Sequence, residues 1–598
     1  MTHTANLKRV VMRDAETGDW LSYDEPVAEL AASTPEDLVP LLQGVRRRVD
    51  EEGVTAVGYL AYEAAPAFDA SLAVRQGFRW PLAAFGLFRR AHRLESLPAA
   101  PQVTAAAWRV TTDRLRYADA IECIRGEIAL GNCYQVNYTI RKETDGVADP
   151  WLLFLAIGRD APYGAYLEFA DFAIVSASPE LFFALHGTRI VCRPMKGTAR
   201  RGLTSAADDE AASALIASAK DRAENVMIAD MVRNDLGRIA RPGSVRATSL
   251  YTLEKYPTVW QLTSTVEAVT EAPVDAVLAA LFPCASITGA PKAAAMRLIS
   301  RLEQLPREVY TGAIGRIEPH RRAVFSVAIR TALVDRRDGS ATYGIGGGIV
   351  WDSDADAEYR ECLAKARLLA AAPAPAADFA LLETLRWSTE EGWYLEDLHR
   401  QRLAGSARYF DIPLDEAAVT AALAEATAGF GSATMRVRLL VTRDGGVRVE
   451  ASPLVPQALP VRLRLAMRPV DDQDPFLYHK TTNRAVYESA LAEAGDCDDV
   501  VLWNASGCVT ETTRANLVVR LGGQDFTPPV ASGLLPGTCR QWLLAHTDLR
   551  EREIRIEELA TADGIALFNS VRGRMPARLD AAPAPSETRF IPDSGPTS

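Results

Sequence analysis

The chain has few of the residues that build disulfide frames and metal knuckles. Eight cysteines are scattered over 598 residues, and no two form a Cys-x-x-Cys pair. That excludes a zinc ribbon and a disulfide scaffold, and it fits a reducing cytoplasm, the expected location. No stretch approaches the roughly 18 apolar residues of a membrane span. Met1 to Trp20 has neither an apolar run nor the layout of a secretory leader, so no membrane association is expected. Basic charge is short as well. Lys and Arg number 66 against 77 Asp and Glu, a formal net charge of −11, which argues against nucleic acid as a partner. There is no short-period repeat, and no Gly-x-Gly-x-x-Gly opens a helix, so the dinucleotide fingerprint is missing too.

What is present suits folded protein in more than one domain: 598 residues, 48% hydrophobic and 24% charged. The segment Ala370 to Asp378 is an Ala/Pro run of the semi-rigid linker kind. It predicts a first domain over 1–370, a linker over 371–378 and a second domain over 379–580. Residues 581–598, rich in Pro, Ser and Ala, read as a loose tail. The first part alternates strand runs (Phe172–Ala177, Ala323–Val334) with amphipathic helices (Ala118–Leu130, Asp208–Arg233, Lys292–Leu302, Ala355–Leu369). The second does likewise, with strands Phe379–Trp387, Met435–Thr442, Val461–Met467 and Val500–Trp503. Its helices are His399–Tyr409, Asn483–Ala494 and Cys539–Ala545. Both parts are mixed α and β without a regular βαβ rhythm, which predicts α+β domains.

In the first part, Arg193-Pro-Met-Lys-Gly-Thr-Ala-Arg-Arg-Gly202 crowds Lys196 with Pro, Gly and Arg. Cationic neighbours help a lysine shed its proton, and a neutral lysine is a nucleophile. The plain alternative is a solvated basic loop. Asp221 and Glu224 share one helix face, and Glu358 and Glu361 repeat the spacing on another. Two such helices meeting would offer four carboxyl groups to Mg²⁺; the spacing equally allows surface salt bridges. Tyr343-Gly-Ile-Gly-Gly-Gly-Ile-Val350 puts glycines in a strand, where a carboxylate can approach backbone N–H groups. Arg330, in an apolar strand, calls for an anion: a ligand carboxylate or an internal partner.

Asp221–Arg238, Ser286-Ile-Thr-Gly-Ala-Pro-Lys292, Gly346–Val350 and Glu358–Lys365 together resemble the chorismate-utilising enzymes, strongly over 110–370 and weakly before. The resemblance implies an α+β sandwich of two large antiparallel sheets with outer helices. Pro-x-Lys-Gly-Thr around Lys196 is similar to aminodeoxychorismate synthases rather than anthranilate synthases. It implies that Lys196 attacks ring carbon 2 of chorismate and expels the 4-hydroxyl, and that ammonia then attacks carbon 4 and displaces the lysine. Glu180 would be the general acid. Glu224 and Glu361 would bind Mg²⁺, with Asp221 and Glu358 helping through water. Tyr310 and Arg330 would grip the enolpyruvyl carboxylate. Gly346, Gly347 and Gly348 would line the ring-carboxylate end, and Ser286 and Thr288 would flank the ring. Many relatives carry His where this chain has Gln261, which cannot shuttle a proton at neutral pH. No Gly-x-Cys-x-Gly nucleophile turn is present, so a separate glutamine amidotransferase subunit is the expected ammonia source. An anthranilate or isochorismate synthase is the alternative for this half.

In the second part, Lys480 precedes an amphipathic helix and Glu511 borders a strand. Arg402 lies on a helix, and Gly537 and Thr538 open another. A Schiff-base lysine, a carboxylate for a pyridine nitrogen and donors for a phosphate are the minimum of a pyridoxal phosphate site. Singly, Arg402 is ordinary helix-surface charge and Gly537-Thr538 a simple cap. Together these elements resemble the fold-type-IV pyridoxal phosphate enzymes over 379–578. That implies Lys480 as the Schiff-base residue, Glu511 on the ring nitrogen, and Arg402, Thr538 and Ser570 facing the phosphate. Aminodeoxychorismate lyase and amino acid aminotransferase both stay open on the motifs. The fusion favours the lyase, giving a bifunctional enzyme of 4-aminobenzoate formation. Relatives of this half are usually dimers, so a homodimer through the C-terminal domain is a further expectation.

Overall fold

The computed structural model describes residues 6–98, 106–256, 258–369 and 379–580. The expected linker and the expected tail lie outside the described residues. The chain divides into two compact units: Met1–Arg200 with Ala212–Pro375, and Arg201–Ala211 with Ala376–Ser598.

The first unit contains two ten-stranded sheets, antiparallel throughout. One runs from Gly289–Ala290 through Gln135–Thr144, Ala341–Ile349, Thr331–Asp335, Phe172–Ser178 and Tyr163–Phe169 to the N-terminal strands. The other runs from Met195–Arg200 through Val259–Val269, Arg189–Arg193, Leu181–His186, Arg322–Val327 and Ala313–Glu318 to Thr55–Leu60 and its neighbours. Their apolar faces bury Phe183, Phe325, Ile174 and Val175 completely.

Two sequence expectations are corrected by the chain's path. Ala323–Val334 is not one strand. Arg322–Val327 belongs to one sheet and Thr331–Asp335 to the other, and the switch is made through Arg330 at φ 51°. A run of apolar residues does not reveal such a change of sheet. Asp208–Arg233 is likewise two helices, Ser205–Ala217 and Ala219–Gly237. Ser218 breaks them, its hydroxyl accepting the Asp221 N–H as an N-cap.

The second unit has a four-stranded antiparallel sheet, Gly392–Trp393, Leu381–Ser388, Met435–Val441 and Val447–Pro453. It also has an eight-stranded mixed sheet in which Val461–Leu465 pairs in parallel with Asp499–Trp503 and Gly573–Leu579. Helix Glu396–Phe410 buries Leu403 and Ala407 against Leu381 and Leu385. Among the described residues no helix is long and apolar enough to cross a membrane.

Candidate active sites

Lys196 sits in the edge strand Met195–Arg200, which pairs with Val259–Val269 and carries an irregularity between Met195 and Thr198. Gly197 lies there at φ +93°, and a Cβ on it would stand 3.0 Å from the Asp221 Cβ. Only glycine lets the strand bend this closely onto helix Ala219–Gly237. Asn225 on that helix is buried and ties the strand down: its Nδ2 donates to the carbonyls of Lys196 and Leu262, each at 3.2 Å. Its Oδ1 accepts from Ser264.

The Lys196 amine points to the glycine strand. A Cβ on Gly348 would lie 2.5 Å from Lys196 Nζ and 2.1 Å from Gln135 Nε2. Any side chain at 348 would displace both. Gln135 is 1% exposed and its Oε1 has no hydrogen-bond partner. A half-turn of the amide would set that acceptor towards the lysine. Sequence reasoning missed Gln135, because a lone Gln in an alternating strand carries no spacing signal.

Glu180 is buried and accepts the Ser286 hydroxyl at 2.6 Å. Burial pushes its carboxyl up to about 7, against the pull of Ser286 and Lys196. A carboxyl at that value can hold a proton near neutrality and release it. Ser286 thus touches the expected acid. Thr288 gives its hydroxyl proton to its own turn, at Cys284 and Ala285. Arg307 fixes this turn: its Nη1 reaches the Ile287 carbonyl at 2.9 Å and its Nη2 the Asn137 carbonyl at 2.7 Å, while Glu303 neutralises it.

Arg330 is half-buried, its desolvation lowers its pKa, and among the described residues no carboxylate pairs with it. Its neighbour Tyr343 has a buried hydroxyl without a partner. An unbalanced guanidinium beside an orphan donor fits an anion. Tyr310 is buried against Gly344, where a Cβ would fall 2.2 Å from the ring.

The four acids of the two helices are drawn towards one region but do not close. Burial raises Glu224, with Asp221 and Glu358 adding to the rise against Lys196 and Lys220. Burial also raises Glu358, whose Oε1 accepts from Ser353 at 2.7 Å. Lys365 pairs with Glu361 at 2.9 Å and lowers it. Lys365 also donates to the Gly346 carbonyl, and the Cβ position of Gly347 lies 3.2 Å from Glu358 Oε2. Among the described residues no three His, Cys, Asp or Glu side chains stand ready to hold an ion. The donor set still suits a hard cation: the charge of Glu358 reaches Glu224 and adds to its rise.

In the second unit, Lys480 is half-buried and its backbone carbonyl accepts from Leu382 at 2.9 Å. Burial, aided by Arg402 and Arg484, brings its amine down to about 8, against Glu383 and Glu511. Burial pushes Glu511 up to about 7. Its Oε1 accepts from Tyr487 at 2.9 Å and the Leu535 N–H at 3.2 Å, and its Oε2 from Asn516 at 3.0 Å. Oε2 keeps a lone pair for a ring N–H.

Arg402 is more committed than the sequence reading placed it. Its Nε and Nη2 clamp Glu383 at 2.8 and 2.6 Å, and its Nη1 reaches the Pro536 carbonyl. Two of its N–H donors stay over for an anion. Burial alone would raise Glu383, but Arg402 and His399 outweigh it and hold the carboxyl at about 2. Burial lowers the pKa of His399 against the pull of Glu383. Its Nδ1 is bonded to Glu383 at 2.6 Å and its Nε2 to the Thr538 hydroxyl at 3.2 Å. Thr538 opens helix Thr538–His546 behind Gly537. A Cβ on Gly537 would meet Asn516 Oδ1 at 2.1 Å, so the backbone alone lines that cradle. Ser570 donates to the Thr384 carbonyl at 3.3 Å. Glu383 and His399 went unread, although a Glu amid apolar strand residues and a His three positions before Arg402 were visible signals. The half-buried lysine, the acid with a spare lone pair and the cradle shaped by Gly537 fit pyridoxal phosphate.

Comparison with known proteins agrees with this division. The profile of the chorismate binding enzymes matches residues 8–371, and that of the class IV amino-transferases matches residues 380–579. The chain is 42% identical over 279 residues to aminodeoxychorismate synthase of Streptomyces griseus, covering 46% of this chain and 38% of that protein. It is 40% identical over 264 residues to aminodeoxychorismate synthase component 1 of Salmonella typhimurium, covering 44% and 58%. The matches thus span less than two thirds of either relative. Among solved structures, anthranilate synthase component I from Streptococcus pneumoniae superposes with a TM-score of 0.52 at 22% identity, over 61% of this chain and 92% of that one, a likeness of fold. The chain belongs to the chorismate binding enzyme family, with a class IV amino-transferase domain behind that region.

Proposed function

We propose that the protein aminates chorismate to 4-amino-4-deoxychorismate in its first unit and eliminates pyruvate from that product in its second, giving 4-aminobenzoate. The observation that carries this is Lys196 beside Glu180, a buried carboxyl poised at about 7. The Lys196 amine bonds to ring carbon 2 and loses a proton, both ring double bonds shift, and the carbon 4–oxygen bond breaks. Glu180 gives its proton to the departing hydroxyl, which leaves as water. Ammonia then bonds to carbon 4 and loses a proton, both double bonds shift back, and the bond to Lys196 breaks. Arg330 and Tyr310 hold the enolpyruvyl carboxylate, and the Gly346–Gly348 amides face the ring carboxylate. Glu224 and Glu361, with Asp221 and Glu358 through water, would hold Mg²⁺, which would neutralise that carboxylate. The names of the Streptomyces and Salmonella relatives support the substrate, and a separate amidotransferase subunit would deliver the ammonia.

In the second unit, Glu511 would hold the pyridine nitrogen of pyridoxal phosphate. Arg402, Ser570 and the backbone of Gly537 and Thr538 would hold the phosphate. Bound there, the cofactor supplies an electron sink for carbon 4. Lys480 removes the carbon 4 proton, the enolpyruvyl carbon–oxygen bond breaks, and the ring becomes aromatic. The class IV amino-transferase match supports a second reading for this unit, keto-acid exchange on an amino acid.

One incubation tests both readings. The protein is given chorismate, Mg²⁺, an ammonium salt and pyridoxal phosphate, and products are identified by mass spectrometry. Equal amounts of 4-aminobenzoate and pyruvate are expected. Anthranilate or isochorismate would overturn the first assignment. Accumulated 4-amino-4-deoxychorismate, together with keto-acid exchange, would replace the second.

A further inference from the structure

Residues 201–211 follow the Lys196 strand directly, yet they pack as part of the second unit. Arg201 and Asp208 are both buried, and Arg201 Nε donates to Asp208 Oδ1 at 2.6 Å. The Gly202 N–H donates to the same oxygen at 3.0 Å. Arg201 Nη2 reaches the Tyr409 carbonyl at 3.0 Å, and its guanidinium lies 4.4 Å from the centre of the Tyr409 ring. Leu203 packs on the apolar cluster of Leu477, Tyr478 and Tyr487. Ser205 lies 3.3 Å from the position a Cβ on Gly405 would take. A buried ion pair with this many bonds is not released cheaply, because either partner alone would be an uncompensated charge.

The contacts converge on the residue before Lys480. The His479 ring is stacked 4.2 Å from Tyr409, and its Nδ1 bonds the Ser406 hydroxyl at 2.9 Å. Its Nε2 has no hydrogen-bond partner, and the Leu203 backbone is its polar neighbour. On the other side, Leu382 N–H donates to the Lys480 carbonyl, and Thr482 N–H to the Ala380 carbonyl, each at 2.9 Å. The segment 477–482 is therefore held between the strand Leu381–Ser388 and residues 201–211.

We propose that residues 201–211 are a positioning clasp for the second unit, in which Arg201, Leu203 and Asp208 fix the Leu477–Thr482 segment and so the place of Lys480. The role of Lys480 rests on the function proposed above; the clasp itself does not. None of the clasp residues touches the reacting atoms. They act through His479, and a small misplacement of a reacting amine is enough to slow chemistry.

The test uses the full chain loaded with pyridoxal phosphate, comparing Leu203→Ala, Arg201→Ala and Arg201→Lys with the unsubstituted protein. Hydrogen exchange is followed on peptides covering 476–484 and, as a reference, the strands 499–503 and 564–569. Leu203→Ala is expected to speed exchange at 476–484 about tenfold without change in the reference strands. Pyruvate release from supplied 4-amino-4-deoxychorismate is expected to lose roughly 10- to 100-fold in kcat at little change in KM, with a shifted cofactor absorbance. Chorismate amination should stay as it was. Arg201→Lys should fall between the unsubstituted protein and Arg201→Ala. Unchanged exchange at 476–484 would overturn the clasp, as would an equal rise in the reference strands or an equal loss of amination. If the unsubstituted chain releases no pyruvate, the lyase reading falls, while exchange at 476–484 still decides the clasp.

Discussion

The two lysine sites place the same functional group in opposite electrostatic settings. Lys196 lies among acids: Glu180, Glu224 and Glu361 all feel its charge. Lys480 is half-buried among two arginines, Arg402 and Arg484, and two acids, Glu383 and Glu511, and desolvation with the arginines brings its amine down to about 8. The proposed function accounts for the difference by what each site would receive. A carboxylate-rich wall would suit an anionic ring brought in with a divalent cation, with Glu180 as the proton donor. The two arginines would suit a phosphate, and a lysine that is to react with an aldehyde would be helped by losing its proton. The same contrast appears in the backbone. Lys196 is held in a bent edge strand by Asn225, whereas Lys480 follows a histidine packed among aromatic rings.

The sharpest way to break this comparison is to remove one amine at a time. Lys196→Ala is expected to lower chorismate amination by on the order of 10³-fold or more while pyruvate release from supplied 4-amino-4-deoxychorismate continues. Lys480→Ala should do the reverse, so that 4-amino-4-deoxychorismate accumulates. Product quantification by liquid chromatography checks both. Equal loss of both activities in either variant would mean the sites are not separate.

Glu180→Gln comes next in size, with an expected loss of roughly 10²- to 10⁴-fold in amination. Its pH dependence carries a sign. Glu180 must be protonated to donate, and its carboxyl sits near 7. The ratio of amination kcat in the unsubstituted protein to that in Glu180→Gln should be flat below that value and fall about tenfold per unit above it, with ammonia kept saturating. A ratio that does not change with pH would remove Glu180 from the role.

In the second unit, Gly537→Ala leaves the backbone angle permissible, at φ −63°, but puts a methyl group 2.1 Å from Asn516 Oδ1. Asn516 cannot yield freely, because its Nδ2 is bonded to Glu511 and to the Leu535 carbonyl. Overpacking of this kind costs about 1–3 kcal/mol, so pyridoxal phosphate affinity should fall roughly 5- to 150-fold by spectroscopic titration. Unaltered affinity would separate the cradle from the phosphate.

Much of both sites was legible because motif chemistry and backbone need coincide. Gly348 leaves room for Lys196 and Gln135, and Gly537 leaves room for Asn516. What stayed hidden depends on contacts far apart in sequence. Glu383 meets Arg402 and His399 only when a strand and a helix pack together. Arg330 was read within a strand, yet the chain changes sheets there and the residue takes a positive φ. The clasp was least visible, because Arg201 read as part of a basic loop and Asp208 as the start of a helix until burial and Tyr409 are known. Spacing put the acids in pairs on two helices, but Ser353 and Lys365, which occupy Glu358 and Glu361, have no spacing signal.

The smallest expected effect concerns Gln261, which stands where many relatives carry histidine. It lies on the strand beside Lys196, opposite Thr198, and its Oε1 accepts the Thr198 hydroxyl at 3.2 Å. That bond steadies the bent strand and moves no proton. Gln261→Leu loses one neutral hydrogen bond, about 0.5–1.5 kcal/mol, so amination should drop only a few-fold, with the pH profile unmoved. Gln261→His adds a titratable ring, and if it also leaves the profile unmoved, the proton traffic of this site runs through Glu180. A loss of 100-fold in Gln261→Leu would place the amide in contact with the reacting ring instead, and the electrostatic contrast between the two lysines would then need a second donor on the acidic side.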